Sequence, residues 1–194
     1  MKIILGSASK GRRRVLEEMG YEFEVMAADI DEKAIGSRAD DPKKLTLMLA
    51  HAKAKALLPR IQEPAFLITS DQVVVWRGKI LEKPENAEQA REFLRGYSEA
   101  PLDTVTAVAV CNTKTKKCAE GVDVARVVFS PIRDVAIEKF IREGDPFTHA
   151  GGFNVNDSIL KNYVERIEGE RESVIGLPRE LTEKLLREVK GRKE

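Results

Sequence analysis

Between an apolar stretch and a helical one lies a run of small and basic residues, Ser7-Ala8-Ser9-Lys10-Gly11-Arg12. At a helix start, free backbone N–H groups, serine hydroxyls and the positive end of the helix dipole together attract phosphate. Arg12, Arg13 and Arg14 follow, and a guanidinium can hold phosphate through two parallel hydrogen bonds. The same residues also read as a serine cap before a solvated basic helix face. The stretch is not a P-loop, because the chain contains no G-x-x-x-x-G-K-[ST]. Asp29, Asp31 and Glu32, beside Lys33, are either ligands for Mg²⁺, which takes oxygen donors together with substrate phosphates, or a solvated acidic loop. Asp71 interrupts the apolar runs at 65–69 and 73–76. A buried acid is costly unless it is paired or bound to a metal, so such acids are often functional; the plainer alternative is a cap on nearby N–H groups. Lys53 on an Ala- and Leu-rich helix and Lys83 after a hairpin read individually as surface lysines. Neither His51 nor His149 has a partner at metal or triad spacing, and His149-Ala150-Gly151-Gly152 reads as a tight turn.

The elements that must position these groups alternate between strand and helix. Residues 2–6 suit a buried strand; from Lys10 a helix runs with Val15, Leu16 and Met19 on one face and ends at Gly20. Residues 21–26 read as a second strand, 27–41 as an acidic loop, and 42–57 as a helix opened by Pro42. A strand at 65–69 continues at 73–76 and turns back through Arg77-Gly78-Lys79 to Ile80 and Leu81. A helix over 86–97 precedes strands at 103–111 and 118–129. Ser130-Pro131 predicts a helix start with proline in its first turn, and that helix runs to about Arg142. Strand-like stretches surround 164–167 and 173–175, and Leu177-Pro178 opens a last helix. This pattern predicts an α/β fold with a mixed sheet flanked by helices.

The 194 residues fit one compact domain, 1–194, or one domain with two lobes around a cleft. With 42% hydrophobic and 34% charged residues the chain reads as globular. Its net charge of +1 argues against nucleic acid as a partner and makes any anion site a local one. The opening apolar run is too short for a secretory signal, and no stretch is long enough to span a membrane, so the expected location is the cytoplasm. Cys111 and Cys118 lack C-x-x-C spacing; they could face each other across a hairpin, and the expectation is two reduced thiols.

Taken in order, these pieces resemble the Maf family of nucleoside triphosphate pyrophosphatases. The resemblance rests on Ser7-Ala8-Ser9-Lys10-Gly11-Arg12, Asp31-Glu32-Lys33, Ala52-Lys53-Ala54-Lys55-Ala56, Ser70-Asp71-Gln72-Val73, Glu82-Lys83-Pro84, Ala150-Gly151-Gly152 and Gly176-Leu177-Pro178, and it covers nearly the whole chain. It implies an elongated mixed sheet with two lobes around a central cleft, a fold shared with inosine triphosphate pyrophosphatases. It further implies a divalent metal (Mg²⁺ or Mn²⁺), a homodimer, and hydrolysis of a nucleoside triphosphate to the monophosphate and pyrophosphate. By this likeness Ser7, Ser9, Arg12 and Lys53 would hold the phosphates, and Glu32 and Asp71 the metal. Asp71 would be the general base, and Lys83 would neutralise charge on the phosphates. Gln72 resembles the branch acting on 7-methyl-GTP and on UTP and CTP. Gly11 and Asn156 stand at positions tied to base choice and depart from the family pattern: an aromatic or Arg is usual at the first and Glu or Gln at the second. Glycine there predicts a missing wall in the base pocket. A nucleotide- or nucleic-acid-binding cell-division regulator without turnover is the alternative; the presence of Glu32, Lys53, Asp71 and Lys83 together argues against it.

Overall fold

The computed structural model describes residues 1–39 and 41–191, so residue 40 of the expected loop and residues 192–194 of the expected domain lie outside the described residues. The strands are β1 (Lys2–Leu5), β2 (Phe23–Val25), β3 (Ala65–Trp76), β4 (Lys79–Leu81), β5 (Leu102–Asn112), β6 (Cys118–Phe129) and β7 (Val164–Glu168). The α-helices are α1 (Lys10–Glu18), α2 (Pro42–Leu57), α3 (Ala87–Tyr97), α4 (Asp134–Glu143), α5 (Arg171–Ile175) and α6 (Arg179–Lys190). One seven-stranded sheet runs in the order β2-β1-β3-β5-β6-β7, with β4 paired to β3. β2, β1 and β3 are parallel, and every other pairing is antiparallel. The fold is thus mixed α/β, as the alternation of elements predicts.

β3 organises the site. Along one edge β5 pairs with it continuously from Phe66 to Trp76. Along the other edge β1 pairs only as far as Ile68, and β4 begins only at Val74. Residues 69–73 therefore have a neighbour on one side only, and the open edge is where the cleft lies. Because strand side chains alternate, Ile68, Ser70, Gln72 and Val74 share one face while Leu67, Thr69, Asp71 and Val73 share the other. On the first face, α1 and α6 cover the β1 end through Leu5, Leu16, Ile68, Leu185 and Leu186. Further along the same face, α3 and α4 close a second core around Leu94, Tyr97, Phe129, Ile137 and Phe140. On the opposite face, α2 packs through Leu45, Leu49, Ala54 and Leu57. The core is divided between the two ends of the long strands, leaving a cleft between the helix pairs.

Three local expectations are corrected. Residues 173–175 form the end of helix α5 rather than a strand; Gly176, at a φ of 108°, terminates it with backbone N–H bonds to the carbonyls of Glu172 and Ser173. Pro131 does not open a helix. The N–H of Ser130 donates to the Tyr163 carbonyl and that of Ile132 to Ser98 Oγ, so the chain stays extended until α4 starts at Asp134. Cys111 and Cys118 are not free thiols but form a disulfide. The N–H of Asn112 bonds the Lys117 carbonyl, so the adjacent pair, Cys111 opposite Cys118, occupies the close non-hydrogen-bonded position of an antiparallel ladder. Among the described residues no helix is long and apolar enough to cross a membrane.

Candidate active site

A cavity of about 590 Å³ opens at the unpaired edge of β3, within the usual range for small-molecule sites. Ser7, Ser9, Gly11, Arg12, Glu32, Lys53, Asp71, Gln72 and Lys83 all line it, although they come from five separate parts of the chain. A second hollow of about 640 Å³ adjoins it, sharing Glu32, Asp71, Gln72, Lys83 and Ala150. Asn156 lines neither. Its Oδ1 accepts two bonds from Arg171, at 3.2 and 2.8 Å, which hold it at the surface.

The opening turn is built as its residue types require. Ser9 caps α1, accepting from the N–H of Arg12 at 3.4 Å, and Ser7 Oγ accepts from the N–H of Ser9 at 3.2 Å. Arg12 reaches across the sheet edge: Nε donates to the Gly176 carbonyl at 2.9 Å, and Nη1 to the Ser70 carbonyl at 2.8 Å and to Ser7 Oγ at 3.2 Å. The guanidinium thus ties α1 to the exposed edge of β3 and to the end of α5, while forming part of the cavity wall. Burial pulls its pKa down, opposed by the charges of Asp71 and Glu32.

On the opposite face of β3, Asp71 is 6% exposed and Lys53 8%. Lys53 Nζ lies 2.5 Å from Asp71 Oδ1 and 2.9 Å from Glu32 Oε1, so two carboxylates converge on one ammonium. Thr69, two residues before Asp71, bonds the Ala50 carbonyl of α2 at 2.9 Å and fixes helix against strand beside this pair. Burial raises the Asp71 pKa above its ordinary value; Lys53 and Arg12 oppose the rise, and Glu32 adds to it. A carboxylate made more basic by its surroundings suits proton abstraction from water. Among the described residues no cluster of three or more His, Cys, Asp or Glu could hold a metal. The two converging carboxylates nonetheless match what Mg²⁺ takes when it shares its ligands with phosphates.

Gln72 points the other way. Its Nε2 donates to Thr106 Oγ1 at 2.8 Å and to the Ser173 and Val174 carbonyls at 2.7 and 3.3 Å, so three acceptors orient the amide, and Oε1 has no hydrogen bond to a described residue. Gly11 packs closely on α5: a Cβ there would lie 2.8 Å from Ile175 Cγ2. The missing side chain is therefore not an open space, as the sequence predicts, but the place where Ile175 sits. Lys83, exposed after β4, pairs with no described residue and projects from the far wall. The turn before Phe153 is held by Tyr97, whose Oη donates to the Gly151 carbonyl at 2.6 Å; Gly151 has φ of 66° and no room for a side chain beneath that hydroxyl. Sequence reasoning missed the roles of Ser70, Thr106, Ser173 and Tyr97, because each acts on a partner more than 50 residues away.

The family model described as Maf-like protein matches residues 2–189. A 7-methyl-GTP pyrophosphatase from Dictyostelium discoideum is 45% identical over 194 residues, covering 96% of each chain. A 7-methyl-GTP pyrophosphatase from Idiomarina loihiensis is 35% identical, over 92% of this chain and 89% of its own. A dTTP/UTP pyrophosphatase from Clostridium perfringens is 34% identical, over 92% of both.

Proposed function

The chain belongs to the Maf-like protein family, and we propose from that premise that this cleft hydrolyses a nucleoside triphosphate to the monophosphate and pyrophosphate. The observation that carries the reading is the convergence of Asp71, Glu32 and Lys53 at the open edge of β3, opposite the α1 turn. Phosphoryl chemistry needs little covalent help; it needs an oriented water, fixed cations and a place for negative charge. Asp71 takes the proton of the attacking water, and its raised pKa favours that role. Lys53 keeps Asp71 ionised and, with Arg12 and Lys83, faces the phosphates. Ser7, Ser9 and the N–H groups at the start of α1 form the remaining cradle. Glu32 and Asp71 are the donors for a divalent metal, Mg²⁺ or Mn²⁺, which would offset phosphate charge when bound.

For the base, Gln72 offers an acceptor oxygen, which fits a ring that presents an N–H or NH₂. 7-Methyl-GTP is the first candidate, since Gln72 and the 45% identical relative both point to it, and UTP and CTP follow. The whole chain, 1–194, is read as one domain, working as a homodimer in the cytoplasm. Incubating the protein with Mg²⁺ or Mn²⁺ and a panel of 7-methyl-GTP, UTP, CTP, dTTP and inosine triphosphate tests the proposal. Pyrophosphate release from one of the first three is expected. None from any nucleotide, with tight binding of an uncleavable analogue, would favour a regulator without turnover instead.

A further inference from the structure

Among the described residues outside the proposed chemistry, Arg38 has the most heavily committed side chain near the cleft. Its Nη1 donates to the Ile35 carbonyl at 2.9 Å and to the Lys33 carbonyl at 3.5 Å, and its Nη2 to the Glu32 carbonyl at 3.1 Å. Nε and Nη2 also hold Glu82 Oε1, at 3.0 and 2.9 Å. The loop that delivers Glu32 is therefore wound around this guanidinium, and Glu82, the residue before Lys83, closes the far side. Arg38 and Glu82 both line the second hollow, whose wall includes Glu32 and Lys83.

Glu32 itself needs such a support. It belongs to a three-residue 3-10 turn, Glu32–Ala34, whose only side-chain cap is Asp31, and its side chain is 49% exposed. None of the turn's residues is buried, so the contact that aims the carboxylate is Lys53 Nζ, 2.9 Å away, and the backbone beneath it depends on other support. A planar fork with five donors can gather three carbonyls and a carboxylate at once; a lysine ammonium, a single point on a flexible stem, cannot.

We propose that Arg38 is a positioning residue for the hydrolysis: it holds Glu32 from one wall and Lys83 from the other at a fixed separation across the cleft. The inference rests on the pyrophosphatase reading for its kinetic consequence, while the clamp itself is a property of the folded loop. Glu32 acts on the reacting groups, and Arg38 acts only through Glu32 and Lys83.

The test compares wild type with Arg38→Met, Arg38→Lys, Glu82→Ala and the Arg38→Met/Glu82→Ala double variant, using the best nucleotide of the panel. A displacement of the order of 1 Å costs about 100-fold, so kcat for Arg38→Met should fall by about that factor with KM changed little. Arg38→Lys should recover only part of the loss, and the double variant should be no worse than Arg38→Met, since both changes open one clamp. Hydrogen exchange of the amides at 31–37, measured without nucleotide, should rise by about tenfold in Arg38→Met. This second measurement judges the clamp even if wild type releases no pyrophosphate, an outcome that would overturn the activity reading alone. Full kcat in Arg38→Lys, additive losses in the double variant, or unchanged exchange at 31–37 would each overturn the proposal. If Arg38→Met fails to fold, Arg38→Lys and Glu82→Ala still decide it.

Discussion

Replacing Lys53 with methionine leaves Asp71 buried, 6% exposed, without the ammonium 2.5 Å away. At an effective dielectric of about 20, attraction at that distance is about 7 kcal/mol, much of it offset by the desolvation of both groups. Breaking such a pair from one side costs about 3–5 kcal/mol when the remaining charge stays buried. Asp71 can avoid that cost by taking a proton. Burial already raises its pKa and Lys53 restrains the rise, so the variant's folded value moves further up. The unfolded carboxyl titrates at its ordinary value, and the folded state therefore binds the extra proton. Stability is full below the unfolded value and is lost as pH rises towards the folded one, by about 1.4 kcal/mol per pH unit. The Lys53→Met deficit should thus be smaller at pH 5 than at pH 8, where it reaches about 3–5 kcal/mol. Urea unfolding at both values, followed by circular dichroism, measures the difference. The double variant Lys53→Met/Asp71→Asn should regain part of the loss at pH 8, because the buried carboxylate left without its ammonium is gone, although Arg12 loses one of its two neighbouring negative charges. A Lys53→Met deficit equal at pH 5 and pH 8 would refute the buried pair as described.

Asp71→Asn should lose about 10²–10⁴ in kcat while staying folded, the range for removing a general base; full turnover in that variant removes the assignment. In the metal- and nucleotide-free protein the Asp71 carboxyl should titrate above 3.8, in the raised direction set by its burial, as read by carboxyl NMR against pH; titration at or below that value would contradict the burial argument. Gly11→Ala gains about 1 kcal/mol of helix propensity but must displace Ile175, an overpacking cost of about 1–3 kcal/mol. A net loss of stability is expected, restored when Ile175→Ala is added, and unfolding midpoints of the two variants and the pair check it. Reducing Cys111–Cys118, which closes a loop with a separation of 7, should cost about 2 kcal/mol, read as a shift of the urea midpoint on adding reductant.

Periodicity and local turn chemistry were enough to place the elements that carry the site. The strand–turn–helix at 2–18, the Pro42-opened helix of Lys53 and the β5–β6 hairpin are marked by local residue patterns and turns, and all are legible in the chain. Ser173 to Ile175 was misread because a five-residue helix has no room to show a period, and Gly176 alone does not say which element it ends. The cysteines illustrate the same limit: the sequence places them across a hairpin, but only the register seats them at the close position where a disulfide forms.

The sequence by itself supplied the groups proposed to act here: Ser7, Arg12, Lys53 and Lys83 are donors or cations suited to phosphate, Glu32 and Asp71 are carboxylates suited to a metal or a proton, and their motifs, in order along the chain, resemble the family. Only the tertiary structure decided how they meet. The gap between β1 and β4 on one edge of β3 lets Asp71 and Gln72, on opposite faces of one strand, open into a common cavity. Arg12 commits Nε and Nη1 to Gly176, Ser70 and Ser7, Asn156 is withdrawn to Arg171, and Ile175 fills the space over Gly11. All of these contacts but that of Arg12 with Ser7 join residues 15 or more apart along the chain, and a side chain's type fixes what it can bond but not which distant partner reaches it first.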